Sequence, residues 1–169
     1  MKGTFLAAPL LAGAVALGAI GVARTVKSAP APAPVTCHPP APNRPDYTCT
    51  PGLADPTITQ ANITSTICRS GYTATVRNVS QSLKKRIYAS YGIVHHAPGA
   101  YEVDHLISLE LAGSNDARNL WPEPYTGPDN AHNKDVLENR LHAQVCSSQI
   151  SLADAQHQIA YWYQYETAA

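Results

Sequence analysis

Apolar residues recur at three- and four-residue steps in three stretches and alternate in a fourth, and this contrast sets the expected elements. Leu83, Ile87 and Tyr91 share one face of a helix that Ser80 or Ser82 caps and Gly92 ends. Val136 or Leu137, Leu141 and Val145 continue a second stripe from near Asn130 to Cys146, with Asp129 as its expected N-cap. Leu152, Ala155, Ile159 and Trp162 form a third stripe after the cap-like run Ser151 to Asp154. Tyr101 to Ile107 alternates as a strand does, Gly113-Ser114-Asn115-Asp116 supplies a reversal, and Leu120-Trp121 returns. Pro122 and Pro124 are expected to end that second strand, since proline removes a ladder donor. Thr57 to Cys68 and Tyr72 to Arg77, rich in β-branched residues, read as short strands or extended segments. Strand, loop, strand, helix is the resulting order, an α+β fold with flanking helices.

Met1-Lys2 followed by the uncharged run Gly3 to Ala23 has the pattern of an export segment. Residues 1–27 are therefore expected to be a signal peptide or a membrane anchor through residues 5–23. Gly21-Val22-Ala23 suits cleavage, whereas Arg24 and Lys27 suit a retained anchor. Either way the chain is expected to be secreted or extracytoplasmic. Ser28 to Pro34 alternates Ala and Pro as an extended spacer, and residues 28–55 read as a Pro-rich linker and surface loop. Residues 56–169 remain as the folded domain, which suits a chain of 169 residues with 14% charged side chains.

Charge narrows the chemistry. Lys2, Arg24 and Lys27 lie in the first 27 residues, so nine of the 12 basic side chains follow, against all 12 acidic ones. That balance argues against a broad electrostatic grip on nucleic acid and makes any phosphate contact local. Cys37, Cys49, Cys68 and Cys146 include no Cys-x-x-Cys pair, so disulfides are expected in an exported chain. The favoured pairing is Cys37–Cys49, closing a short Pro-rich loop, with Cys68–Cys146 clamping the core helix to the segment before it.

Asp104-His105 at the end of the first strand is the candidate centre. Neighbouring strand residues face opposite ways, so Asp104 can hold a hard cation while His105, titrating near neutrality, takes a proton from water. Three stretches in order extend the pattern: Glu102-Val103-Asp104-His105-Leu106-Ile107, Asn119-Leu120-Trp121-Pro122 and Lys134-Asp135-Val136-Leu137-Glu138. Over Tyr101 to Cys146 the chain resembles the HNH branch of the ββα-metal nucleases, in particular small secreted bacterial and phage proteins of that family.

The resemblance implies a disulfide-stapled ββα-metal (HNH) core, with His105 and Asn119 catalytic, Asn119 steadying the imidazole and its loop. Asp104 and Asn130 are implied as metal ligands, with His132 as the alternative ligand and Asn133 a third candidate in the same turn. A more standard HNH pattern has a His where Asn130 stands. The oxygen-rich set implies Mg²⁺ or Mn²⁺, and zinc if His132 takes part. Lys134 has two readings, a substrate-phosphate contact or an ion pair with Glu138 at i+4. Lys84, Lys85 and Arg86 read as a solvated helix face or a DNA-backbone contact, and Asn115 as an ordinary turn residue. The implied activity is metal-dependent endonucleolytic cleavage of DNA with little sequence specificity, with RNA also open as substrate. A noncatalytic extracellular binding module on the same frame is the alternative.

Overall fold

The computed structural model describes residues 35–165, so the expected signal or anchor segment and the Ala-Pro spacer lie outside the described residues. None of the described helices is long and apolar enough to cross a membrane. The fold is α+β. A two-stranded antiparallel sheet pairs β1 (Tyr101–His105) with β2 (Leu120–Pro124), and four α-helices surround it. These are α1 (Tyr72–Val76), α2 (Gln81–Ser90), α3 (Ala131–Cys146) and α4 (Leu152–Ala160).

Both prolines lie inside β2, contrary to the expectation that they would end the strand. The register explains why: Pro122 faces Val103 and Pro124 faces Tyr101, while the flanking bonds run Leu106 N–H to Asn119 O and Tyr125 N–H to Ala100 O. That phase puts each proline at a non-hydrogen-bonded pair, where no N–H is required.

Opposed residues of an antiparallel pair share a face. Val103, His105, Leu120 and Pro122 therefore occupy one side of the sheet, and Glu102, Asp104, Trp121 and Glu123 the other. On the first side Val103 and Leu120 pack against Ile87 of α2, with Val79, Leu83 and Tyr88 around them. On the second, Trp121 joins the main core of Leu137, Leu141 and Val145 from α3 and Leu152, Ala155 and Ile159 from α4. Trp162 is fully buried there, tilted against Trp121.

Ser80 and Ser151 cap α2 and α4 by accepting from the N–H groups of Leu83 and Asp154. α3 starts one residue later than expected: its cap is Asn130, while Asp129 takes positive φ and pairs with Arg44. The segment from Thr57 to Cys68 is a chain of turns with a 3-10 turn at Ile63–Ser65, not a strand, because Ile58, Ile63 and Ile67 all turn into the core. Tyr72 to Val76 is likewise a helical turn, opened by Gly71 at φ 76°, with Tyr72 against the core. Cys37–Cys49 and Cys68–Cys146 are bonded, the second joining the end of α3 to the segment before α1.

Candidate active site

The alternation of β1 separates Asp104 from His105, and each meets a different partner. Below the sheet, Asn130 opens α3 by accepting the N–H groups of His132 (3.0 Å) and Asn133 (3.3 Å), while its amide donates to Gly127 O (2.8 Å). One turn later Lys134 points at the sheet and has no exposed surface. Its ammonium donates to Asp104 Oδ2 (2.6 Å), to His105 O (2.9 Å) and to Glu138 Oε1, with Glu123 Oε2 at 3.8 Å.

One ammonium thus stands among three carboxyl groups, which would leave two excess negative charges if all were ionised. Burial opposes that excess. Burial raises the Glu123 carboxyl well above the usual range, with the Asp104 charge adding to it and Lys134 opposing it. Glu138 is raised to about 7, chiefly by burial. Asp104 is also pushed up by burial, but Lys134 outweighs this and its carboxyl lies below the usual range. Burial would lower the Lys134 ammonium; Asp104, Glu138 and Glu123 together hold it well above its ordinary value. Glu123 Oε1 is buried without a hydrogen-bond partner.

These contacts bear on three expectations. The cation gripped by Asp104 is an ammonium, so a divalent ion held by Asp104 and Asn130 does not fit. Both polar atoms of the Asn130 amide are committed to capping, and Lys134 is too enclosed to meet a phosphate; it forms the ion pair with Glu138 instead. His132 packs against the Tyr125 ring, 5.7 Å between centroids, and belongs to no ligand group among the described residues. Two other groups have ligand atoms close enough to hold a metal: Cys68, His142 and Cys146, and Cys37, Asp46 and Cys49. All four cysteines are disulfide-bonded, so neither offers a thiolate in this state.

Above the sheet, His105 is 1% exposed and its Nε2 lies 3.1 Å from Asn115 Oδ1. The Asn115 amide cannot be turned round, because its Oδ1 also accepts from Asn78 N–H (3.1 Å) and its Nδ2 donates to Val76 O (2.8 Å). An acceptor therefore faces the ring, and Nε2 must carry the proton. The neutral imidazole is left with its lone pair on Nδ1, which has no hydrogen-bond partner among the described residues. Burial lowers the pKa of this ring; the Asp104 charge and the Asn115 bond oppose the shift, and the Arg77 and Lys134 charges add to it.

Asn119 does not touch the imidazole. It is completely buried, its Oδ1 accepting from Leu53 N–H (3.1 Å) and Ile107 N–H (2.9 Å) and its Nδ2 donating to Ile107 O and Ser114 O (both 2.9 Å). All its capacity goes into holding the loop that follows His105. In the same loop Gly113 passes so close beneath Ile107 that a Cβ would lie 1.7 Å from its carbonyl oxygen, which admits only glycine. The ring's partner is Asn115, which the sequence shows only as a turn residue; its other contacts are 37 and 39 residues away. Lys85 and Arg86 of α2 are exposed. A groove of about 480 Å³ runs along α2 past Leu83, Ile87, Cys37 and Leu120, and neither Asp104 nor His105 lines it.

Comparison of the chain with protein-family models, with curated proteins and with solved structures finds no match.

Proposed function

We propose that the chain is an exported endonuclease that hydrolyses phosphodiester bonds of DNA, with His105 as general base. The observation that carries the reading is the anchored Asn115 amide: it fixes one tautomer of a neutral imidazole and keeps Nδ1 as an acceptor. A water between Nδ1 and the phosphorus would lose one proton to the ring as its oxygen attacks, and the departing oxygen would take a proton from solvent. The strand, strand, helix order and the HNH-like motif support the assignment, and two disulfides support an oxidising destination. No step is assigned to a divalent cation, because Asp104 and Asn130 do not fit one.

Nicking of supercoiled plasmid by the full chain, with and without EDTA, tests the reading. Cutting by the wild type that His105→Ala abolishes is expected. Cutting that survives in His105→Ala refutes the role given to the ring.

A second reading has its own support. With the ring 1% exposed and Asp104 held by a buried ammonium, the same frame suits a noncatalytic extracellular binding module. Folded, disulfide-bonded protein that never cuts DNA or RNA would favour it.

A further inference from the structure

We propose that Arg77 is the residue that binds the substrate phosphate beside His105; this rests on the nuclease reading above. With nine basic against 12 acidic side chains after residue 27, this part of the chain needs at least one local cation for a phosphodiester, and enclosure of Lys134 removes the residue first expected to serve. Arg118 bonds Asp116, Arg44 pairs with Asp129, and Arg140 donates to Tyr165 O, whereas Arg69, Lys84, Lys85 and Arg86 are not held in this way among the described residues; of the uncommitted cations it is Arg77 that lies between the two residues bonded to Asn115. Arg77 is exposed, and among the described residues its guanidinium has neither an ion pair nor a hydrogen bond.

Its placement is fixed by backbone. Arg77 is the single residue between Val76, whose carbonyl accepts from Asn115, and Asn78, whose N–H donates to Asn115. The same carboxamide holds Nε2 of His105, so residues 76–78, Asn115 and the imidazole form one hydrogen-bonded unit. The Arg77 charge is felt at the ring, where it opposes protonation. Glu102, Asp104 and Glu123 lie on the opposite face of the sheet, so the carboxylates of the Lys134 cluster do not compensate Arg77 directly. A guanidinium offers two parallel N–H donors to a phosphate's nonbridging oxygens, which an ammonium does not. A cation on this side of β1 also supplies the charge that the Asp104 side, closed by Lys134, does not extend to the substrate.

The test uses the full chain with supercoiled plasmid for nicking and a fluorescein-labelled DNA duplex for binding anisotropy across a salt series. Arg77→Ala is expected to raise KM and Kd roughly 5- to 50-fold and to reduce the salt slope by about 0.9, the loss of one phosphate contact. Arg77→Lys should recover part of the affinity, and Arg69→Ala, an exposed cation that does not adjoin the Asn115 contacts, should leave nicking and binding unchanged. Melting temperature should not move, because Arg77 has no internal partner; Arg77→Gln, which keeps most of the aliphatic stem, replaces the alanine variant if the latter melts early. Wild-type KM and salt slope in folded Arg77→Ala or Arg77→Gln overturn the proposal while leaving the nuclease reading standing. Wild-type protein that neither binds nor nicks DNA overturns both.

Discussion

Replacing Lys134 with methionine keeps the volume and apolar stem but removes the only ammonium among Asp104, Glu123 and Glu138. Breaking a buried ion pair from one side costs about 3 to 5 kcal/mol, because it strands the partner charge. The Asp104 and Glu138 side chains keep 20% and 14% exposure, so water screens part of the loss and the lower end, about 3 kcal/mol at pH 8, is expected. The cost should depend on pH. Glu138 is already raised to about 7 in the wild type, so this raised acid contributes stability below its unfolded pKa and loses it as pH rises through the folded value. Without the ammonium Glu123 and Glu138 move up further and Asp104 loses the charge that holds it down, so the variant loses stability more steeply between pH 5 and pH 8. At pH 5 most of the excess charge is protonated and the cost should fall to roughly 1 to 2 kcal/mol. For a folded unit of this size these figures correspond to drops in Tm of roughly 10 °C at pH 8 and 5 °C at pH 5. Thermal melts by circular dichroism at both pH values decide the matter. A drop below about 2 °C at pH 8, or one that does not change with pH, would refute the view that Lys134 neutralises this cluster.

Asn115→Ala should free the imidazole to sample both tautomers; ¹⁵N spectra are expected to show a single Nε2–H form in the wild type and a mixture in the variant, with activity down roughly 10- to 100-fold. The wild-type profile of kcat/KM against pH should have its acid limb below the ordinary histidine value of 6.5, since burial disfavours the imidazolium; a limb above 6.5 contradicts this. Asn119→Ala strips four hydrogen bonds from buried backbone groups and should cost about 3 to 5 kcal/mol, read from urea unfolding. Cys68 and Cys146 close a span of 78 residues, and replacing both with alanine should cost about 4.5 kcal/mol against about 3 for the Cys37–Cys49 pair.

Elements long enough to show a period could be read from the sequence. α2, α3 and α4 each carry an apolar stripe and a polar cap within a few residues of sequence, so local pattern and tertiary packing agree. The two disulfides also agree with the expected pairing. α1 was not legible because alternation over five residues is compatible with one helical turn, and its preference is settled by Tyr72 packing on the core. The prolines of β2 misled because their effect depends on strand register, which sequence spacing did not supply. In the site, the pairing of Lys134 with Glu138 is a local i+4 relation and visible beforehand. Its burial is not, because Asp104 and Glu123 arrive from separate strands. The role of Asn115 depends on backbone groups of residues 76 and 78, brought to it only by folding.

Cys68 lies just upstream of α1, and its bond to Cys146 fastens that part of the chain to the far end of α3. The strip bearing Val76, Arg77 and Asn78 is consequently moored at both ends, by sulfur on one side and by the capped start of α2 on the other. In a thiol-reducing compartment the first mooring is absent, and hydrogen bonds to a single carboxamide keep guanidinium and imidazole in register. An oxidising space supplies the missing anchor, so the final setting of this face depends on the redox state of one sulfur–sulfur bond.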